Sequence, residues 1–178
     1  IGGVEFVTGF LQRFYGLTPK PINVPQELFH YAGRKIFNGV ETDLKDKLFV
    51  KSNDKIKKTY GVVNEEDFVL PIGNYQFSEI ITIESEWRAF IYENKLVGLC
   101  NYSGEFTKWP NVNTIKGMIK TYKSSPVAYT LDVGVSNDRG TFVIECHDFF
   151  SCGLYGFSEL ILVNMFYRWF QEYLKLNL

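Results

Sequence analysis

The sequence predicts an α+β fold, on three observations. Two stretches alternate apolar and polar residues on either side of a tight turn, as antiparallel hairpins do. Two others carry apolar residues at helical spacing. The hairpins and helices are segregated along the chain, which is the α+β pattern.

The elements follow in order. "VEFVTGFLQRFYG" reads as a short strand or turn entering a short helix, and "LTPKPINVP" as an extended, Pro-rich connection. "PQELFHYAGRKIF" places Pro25 in a helical first turn, with the helix ending at Gly33. "DKLFVKSNDKIKKTYGVV" reads as strand, polar loop and strand, and "DFVLPIG" as another short strand. "IITIESEWRAFIYENKLVGLCNYSGEF" is a hairpin turning at Glu93-Asn94, with Tyr92 opposite Lys95. That register puts Trp87, Ala89, Ile91, Leu96, Gly98, Cys100 and Tyr102 on the core face and Arg88 on the polar one. "NVNTIKGMIKTYKSS" is a helix through Ile115, Met118, Ile119 and Tyr122. "FSELILVNMFYRWFQEYLKLNL" is an apolar closing helix capped by Ser158.

The second hairpin, "LDVGVSNDRGTFVIECHDFFSCGLYG", is chemically the odd one. Pairing Ser136 with Thr141 sets Leu131, Val133 and Val135 against Phe142, Ile144 and Cys146 on a core face. On the other face Asp132 stands opposite Glu145, near His147. Directly opposed residues have Cβ atoms about 5 Å apart, and like charges there destabilise a sheet. A divalent cation would compensate, since hard oxygen ligands suit Mg²⁺ and Mg²⁺ brings phosphates with it. A solvated face that tolerates two acids, or a slipped register, would account for the pair equally well.

Composition narrows the field. The 178 residues are 46% hydrophobic and 17% aromatic, enough for one folded domain or two small lobes. A net charge of −1 gives no footprint for nucleic acid or an acidic membrane surface. Three cysteines without a framework point to a reducing, cytoplasmic setting, and their spacing does not suit zinc. The longest apolar stretch, "LILVNMFYRWF", is broken by Asn164 and Arg168 and is too short to span a membrane. The opening "IGGVEFV" lacks Met and a signal-peptide pattern, as a fragment or processed chain would.

Cations stand at three places. Lys51 ends the strand "LFVK", ahead of a loop with Lys55, Lys57 and Lys58. Arg88 lies on the polar face of the first hairpin, where Glu84 or Glu86 could pair with it locally. Cations beside paired acids are what ATP with Mg²⁺ requires. Neither "GxxxxGK[ST]" nor "GxGxxG" is present, so a phosphate site would be built on a sheet.

"FVKSNDKIKKTYG", "ESEWRAFIYENKLVG", "YTLDVGV" and "FVIECHDFFSCGLYG" occur in the order and spacing of the ATP-grasp superfamily. With "GGVEFV" and "ELFHYAGRKIF", they resemble a compact branch of it, common in bacteria and phages, from about Gly2 to Gly156. The resemblance implies antiparallel sheets in two lobes with flanking helices. Residues 1–40 would be the remnant of a reduced amino-terminal lobe, and residues 41–178 the ATP-grasp domain, with ATP between its lobes. It implies that Lys51 and Lys57 contact phosphate, with Lys55 and Lys58 as rivals. Arg88 would stabilise the transferred phosphoryl group, and Arg34 resembles another recurrent arginine. Asp132 and Glu145 would hold Mg²⁺. His147 stands where many members have Asn, and imidazole is a poorer Mg²⁺ ligand than an oxygen. Adenine would lie near "PIGNYQFSEI".

The implied activity is ligation of a carboxylate to an amine or thiol through an acylphosphate, with a peptide or protein among the conceivable acceptors. Two other readings are a nucleotide-binding interaction protein of the same fold without turnover, and a nucleic-acid end-modifying enzyme using an adenylylated lysine. The near-neutral charge weighs against the last.

Overall fold

The computed structural model describes residues 3–40, 47–54, 56, 60–63, 70–158 and 160–178. Helix α1 (Val4–Tyr15) buries Val7 and Leu11, one turn apart, and stops at Gly16, whose left-handed backbone (φ 68°) only glycine adopts without strain. The expected strand or turn at "VEFV" is thus helix from Val4 onward. After an extended segment, Gln26–Tyr31 form a single 3-10 stretch behind Pro25, tighter than the expected helix.

The strands are β1 (Ile36–Val40), β2 (Leu48–Ser52), β3 (Tyr60–Val63), β4 (Asn74–Glu79), β5 (Ser85–Tyr92), β6 (Lys95–Gly104), β7 (Ala128–Ser136) and β8 (Gly140–Asp148). Among the described residues they form two antiparallel sheets, ordered β1-β4-β2-β3 and β6-β5-β7-β8. The strand expected over "DFVLPIG" begins only at Asn74, and the Asp67–Val69 part of that expectation lies outside the described residues.

Helix α2 (Val112–Thr121) is capped by Asn111, whose side chain accepts the Asn113 and Thr114 N–H groups. It drives Ile115, Met118 and Ile119 into one face of the second sheet, against Trp87, Ala89, Ile91, Leu131, Val133, Val143 and Cys146. Helix α3 (Leu162–Asn177) follows an irregular entry, so Ser158 lies before its start and Ile161 is the cap position. Met165 and Trp169 of α3 pack with Val7 and Leu11 of α1 around Phe90, Phe149, Phe150 and Phe157, covering part of the opposite face. The rest of that face stays open as a cleft.

Bulges set what the open face carries. Tyr92 pairs with Lys95 as the turn chemistry requires, but the register then shifts at Phe90/Ile91 and again at Glu86/Trp87. Arg88 therefore pairs with Cys100, and Cys100 and Gly98 leave the core face expected for them. In the second hairpin Ser136 pairs with Gly140, one residue short of the expected partner. A shift between Asp132 and Val133 then makes Ile144 the extra residue, and Asp132 meets Glu145 after all. The shorter turn puts Val143, in place of the expected Phe142 and Ile144, on the core face.

The extended segment ties the sheets together. Asn23, in a left-handed conformation (φ 53°), donates its side-chain amide to Ser52 O (2.9 Å) and Asn53 Oδ1 (2.8 Å). Its carbonyl accepts Cys146 N–H at 2.7 Å. Gln76 exchanges both its amide groups with the Val24 backbone, at 3.0 and 2.9 Å. No described helix is long and apolar enough to cross a membrane.

Candidate functional site

The two sheets face each other across a cleft of about 820 Å³. Lys51 reaches into it from β2, Glu86 and Arg88 from β5, Tyr102 from β6, Asp132 from β7, and Glu145 and His147 from β8. Ile80, Ile81 and Ile83, on the connection between the sheets, complete its wall with Phe49 and Ile144.

Alternation explains which groups arrive. Asp132 lies directly across from Arg88 on one side and from Glu145 on the other. Arg88 donates Nε–H to Asp132 Oδ1 at 2.7 Å and an Nη2–H to Oδ2 at 2.6 Å, and Nη1 donates to Gly153 O at 3.1 Å. This is the planar two-pronged geometry that favours arginine with carboxylate. Arg88 is 8% exposed and Asp132 1%. The local partners considered for Arg88 are engaged elsewhere: Glu84 with Lys108, and Glu86 with the Tyr102 hydroxyl.

Glu145 is held by Lys51 from the opposite sheet and by His147 Nε2 at 2.9 Å, and His147 stands 3.7 Å from Asp132. Burial lowers the His147 pKa, but Glu145 and Asp132 more than reverse that and bring it to about 9. Burial works against the Glu145 carboxylate, yet His147 and Lys51 hold it well below the usual carboxylate range. Three cations thus face two acids, which answers the repulsion that the hairpin raises. The acids are compensated within the chain.

Arg34 also lines the cleft, against β8. Its guanidinium donates to the carbonyls of Ala32 (3.0 Å), Val143 (2.8 Å) and Ile144 (3.3 Å), the last two at the β8 bulge. Burial lowers its pKa to about 10, partly offset by Glu145. It braces the irregularity that aligns Glu145 with Asp132. Lys57, with Lys55 and Lys58, lies outside the described residues.

Asp132, Glu145 and His147 can each offer a ligand atom within 4.8 Å of the others. Two carboxylates on neighbouring strands suit a hard divalent cation. Each carboxylate oxygen keeps a second lone pair beyond its present hydrogen bond, so the donor set fits. "PIGNYQFSEI" proves to be a turn, β4 and the start of the connection, and its end, Ser78, Glu79 and Ile80, lines the cleft together with Ile81 and Ile83. Sequence reasoning missed Tyr102 and Tyr155 as cleft residues. Tyr102 is the extra residue of the bulge at Glu86/Trp87, a feature that alternation does not announce.

Two antiparallel sheets closing on a cleft of lysine, arginine and paired carboxylates are the architecture of ATP-grasp proteins. The profile of an ATP-grasp domain family, the second family of its clade, matches residues 31–165, and the chain belongs to that family. No curated protein sequence matches it significantly. Among solved structures, it is similar to D-alanine–D-alanine ligase from Bacillus anthracis complexed with ATP, at a TM-score of 0.52 and 14% identity. That match covers 96% of this chain and 66% of the ligase. It is also similar to the ATP-grasp ligase PsnB complexed with precursor peptide PsnA2 and AMPPNP, at a TM-score of 0.51 and 10% identity. That match covers 93% of this chain and 58% of PsnB. At these identities the likeness is one of fold.

Proposed function

We propose that the chain binds ATP with Mg²⁺ in the cleft and acts as an ADP-forming ligase, joining a carboxylate to an amine or thiol. The observation that carries this reading is the compensated set Lys51, Arg88, Asp132, Glu145 and His147, assembled from both sheets in a member of the ATP-grasp family.

The roles follow from charge and reach. Lys51 would leave Glu145 for the phosphates, and Lys57 would be the second lysine to contact them. Arg88 spends three of its five N–H donors on Asp132 and Gly153, which leaves two for the transferred phosphoryl group. Arg34, which lines the cleft, adds positive charge near Glu145 while bracing β8. Asp132 and Glu145, with His147 adjacent, would hold Mg²⁺, which when bound supplies neutralisation of phosphate charge. Phe49, Ile80, Ile81, Ile83 and Ile144 offer an apolar wall for the base. In the reaction, a substrate carboxylate oxygen bonds to the γ-phosphorus as the bond to the β–γ bridging oxygen breaks, releasing ADP. The amine or thiol then bonds to the acyl carbon, phosphate leaves, and the nucleophile's proton passes to solvent. Fixed charges and positioning carry most of the acceleration in phosphoryl transfer.

Calorimetry with AMPPNP, with and without Mg²⁺, tests the site on wild type and on Glu145→Gln. Metal-dependent binding lost in the variant supports the assignment, and binding indifferent to metal and carboxylate overturns it. Acid-dependent ADP release then separates a ligase from the second reading, a nucleotide-binding interaction protein. The engagement of Arg88 by Asp132 and Gly153 favours that second reading.

A further inference from the structure

Glu86, like Glu79 and Asp148, lines the cleft without an ion pair among the described residues, and of the three it is the one that shares a strand with Arg88. Among the described residues, its side chain has one hydrogen bond, from the Tyr102 hydroxyl at 2.7 Å, and no cation at ion-pair distance. That bond engages one oxygen, and Glu86 lines the cleft.

The surroundings are built rather than incidental. The bulge in β6 delivers Tyr102 to this face. Tyr155 stacks on it with ring centroids 5.0 Å apart, from a left-handed backbone (φ 48°) held in the loop after β8. The Tyr155 ring also seats against Gly153, where a Cβ would come within 2.8 Å of it. Across β5 and β7, Glu86 faces Gly134, so no charged partner stands opposite.

We propose that Glu86, walled by Tyr102 and Tyr155, is a subsite for the cationic head of a primary amine. On the ligase reading, on which this inference rests, that amine is the acceptor. A carboxylate attracts an ammonium by charge, while the Tyr102 and Tyr155 rings, which the Arg88 guanidinium already faces at 5.6 and 5.1 Å from their centroids, shape the pocket wall. The carboxylate repels a phosphate or a second carboxylate, and it disfavours a thiolate by raising the thiol's pKa. Amine is thereby selected over thiol. The position is right for an acceptor. Glu86 and Arg88 are two residues apart on one strand face, about 7 Å along β5, so an amine at Glu86 lies beside whatever Arg88 holds.

The test is an NMR titration of the full chain with Nα-acetyllysinamide, whose only charge is the side-chain ammonium, and with uncharged Nα-acetylnorleucinamide. The lysine probe should shift resonances of Glu86, Tyr102 and Tyr155 while the neutral one does not. Glu86→Gln, isosteric and able to keep the Tyr102 bond, should weaken the lysine probe about tenfold or more. Equal binding of both probes, equal binding by the variant, or no binding to wild type overturns the subsite. AMPPNP with Mg²⁺ is titrated into the same samples. Nucleotide binding without amine binding removes the subsite and leaves the ligase reading. Amine binding without nucleotide binding does the reverse.

Discussion

Arg88 and Asp132 face each other on adjacent strands and are joined by two charge-assisted hydrogen bonds, of 2.7 and 2.6 Å, in a nearly solvent-free position. Burial alone would lower the Arg88 pKa, but Asp132 raises it well above its ordinary value, so the guanidinium stays charged throughout the working range. A buried pair broken on one side leaves an uncompensated charge, which typically costs about 3–5 kcal/mol. Arg88→Met and Asp132→Leu should each lose about that much. Arg88→Met/Asp132→Leu, which removes both charges, should be more stable than either single variant. Urea midpoints at constant m-value check this, and simple additivity would show that the two residues do not act as a pair.

Lys51 occupies the carboxylate that a metal would use. Its contact with Glu145 joins the two sheets, and both side chains are about one-fifth exposed. Replacing the lysine should therefore pull two affinities apart. In Lys51→Met, Mn²⁺ without nucleotide should bind more tightly, since no ammonium competes for Glu145. AMPPNP should bind about tenfold or more weakly, since a charge-assisted phosphate contact is lost. Paramagnetic titration of Mn²⁺ and calorimetry of AMPPNP read the two effects. A parallel loss of both would show that Lys51 is structural.

The alternation of "ESEWRAFIY" and "YTLDVGV" makes the two hairpins, and the charge on one face of each, legible in the sequence. The bulges are not. A bulge has no local signature here, because tertiary contacts stabilise it: Arg34 caps the carbonyls of Val143 and Ile144 from another part of the chain. The opposition of Asp132 and Glu145 is legible because two displacements cancel, a turn one residue shorter than expected and one extra residue at Ile144. The first hairpin has no such cancellation, and Cys100 and Tyr102 change roles. The long-range partners are equally hidden. Nothing local says that Lys51 meets Glu145, or that Asn23 and Gln76 fasten the sheets.

His147 gives the protein a pH signature. Its folded pKa of about 9 lies above its ordinary value near 6.5. Stability from its charged contacts with Glu145 and Asp132 is fully present below about pH 6.5 and is lost as pH rises through about 9. Glu145 acts at the other end. Its folded pKa is depressed, so its contribution holds above about pH 4.5 and fades as pH falls further. Melting temperature in the absence of metal should therefore decline from pH 6.5 to pH 9.5 in wild type. In His147→Gln that decline should flatten. An unchanged slope in the variant would assign it to another group.

Gly134 is the point where the β7–β8 hairpin touches the connection between the sheets. A Cβ there would lie 2.5 and 2.6 Å from Phe142 ring carbons and 3.1 Å from Ile83 Cγ2. Phe142 is buried, so its ring has little room to give. Overpacking of this kind typically costs about 1–3 kcal/mol, and Gly134→Ala should fall in that range. The strain is relieved if the ring is made smaller, so adding Phe142→Leu should cost less in the Gly134→Ala background than in wild type. The displaced Ile83 lines the cleft, so Gly134→Ala should also weaken AMPPNP although no charged group has changed. Denaturation of the four proteins and nucleotide calorimetry on the alanine variant measure both. Full additivity would mean that the glycine is kept for backbone freedom rather than space. Its backbone is not in the left-handed region, which is why space is the expected answer.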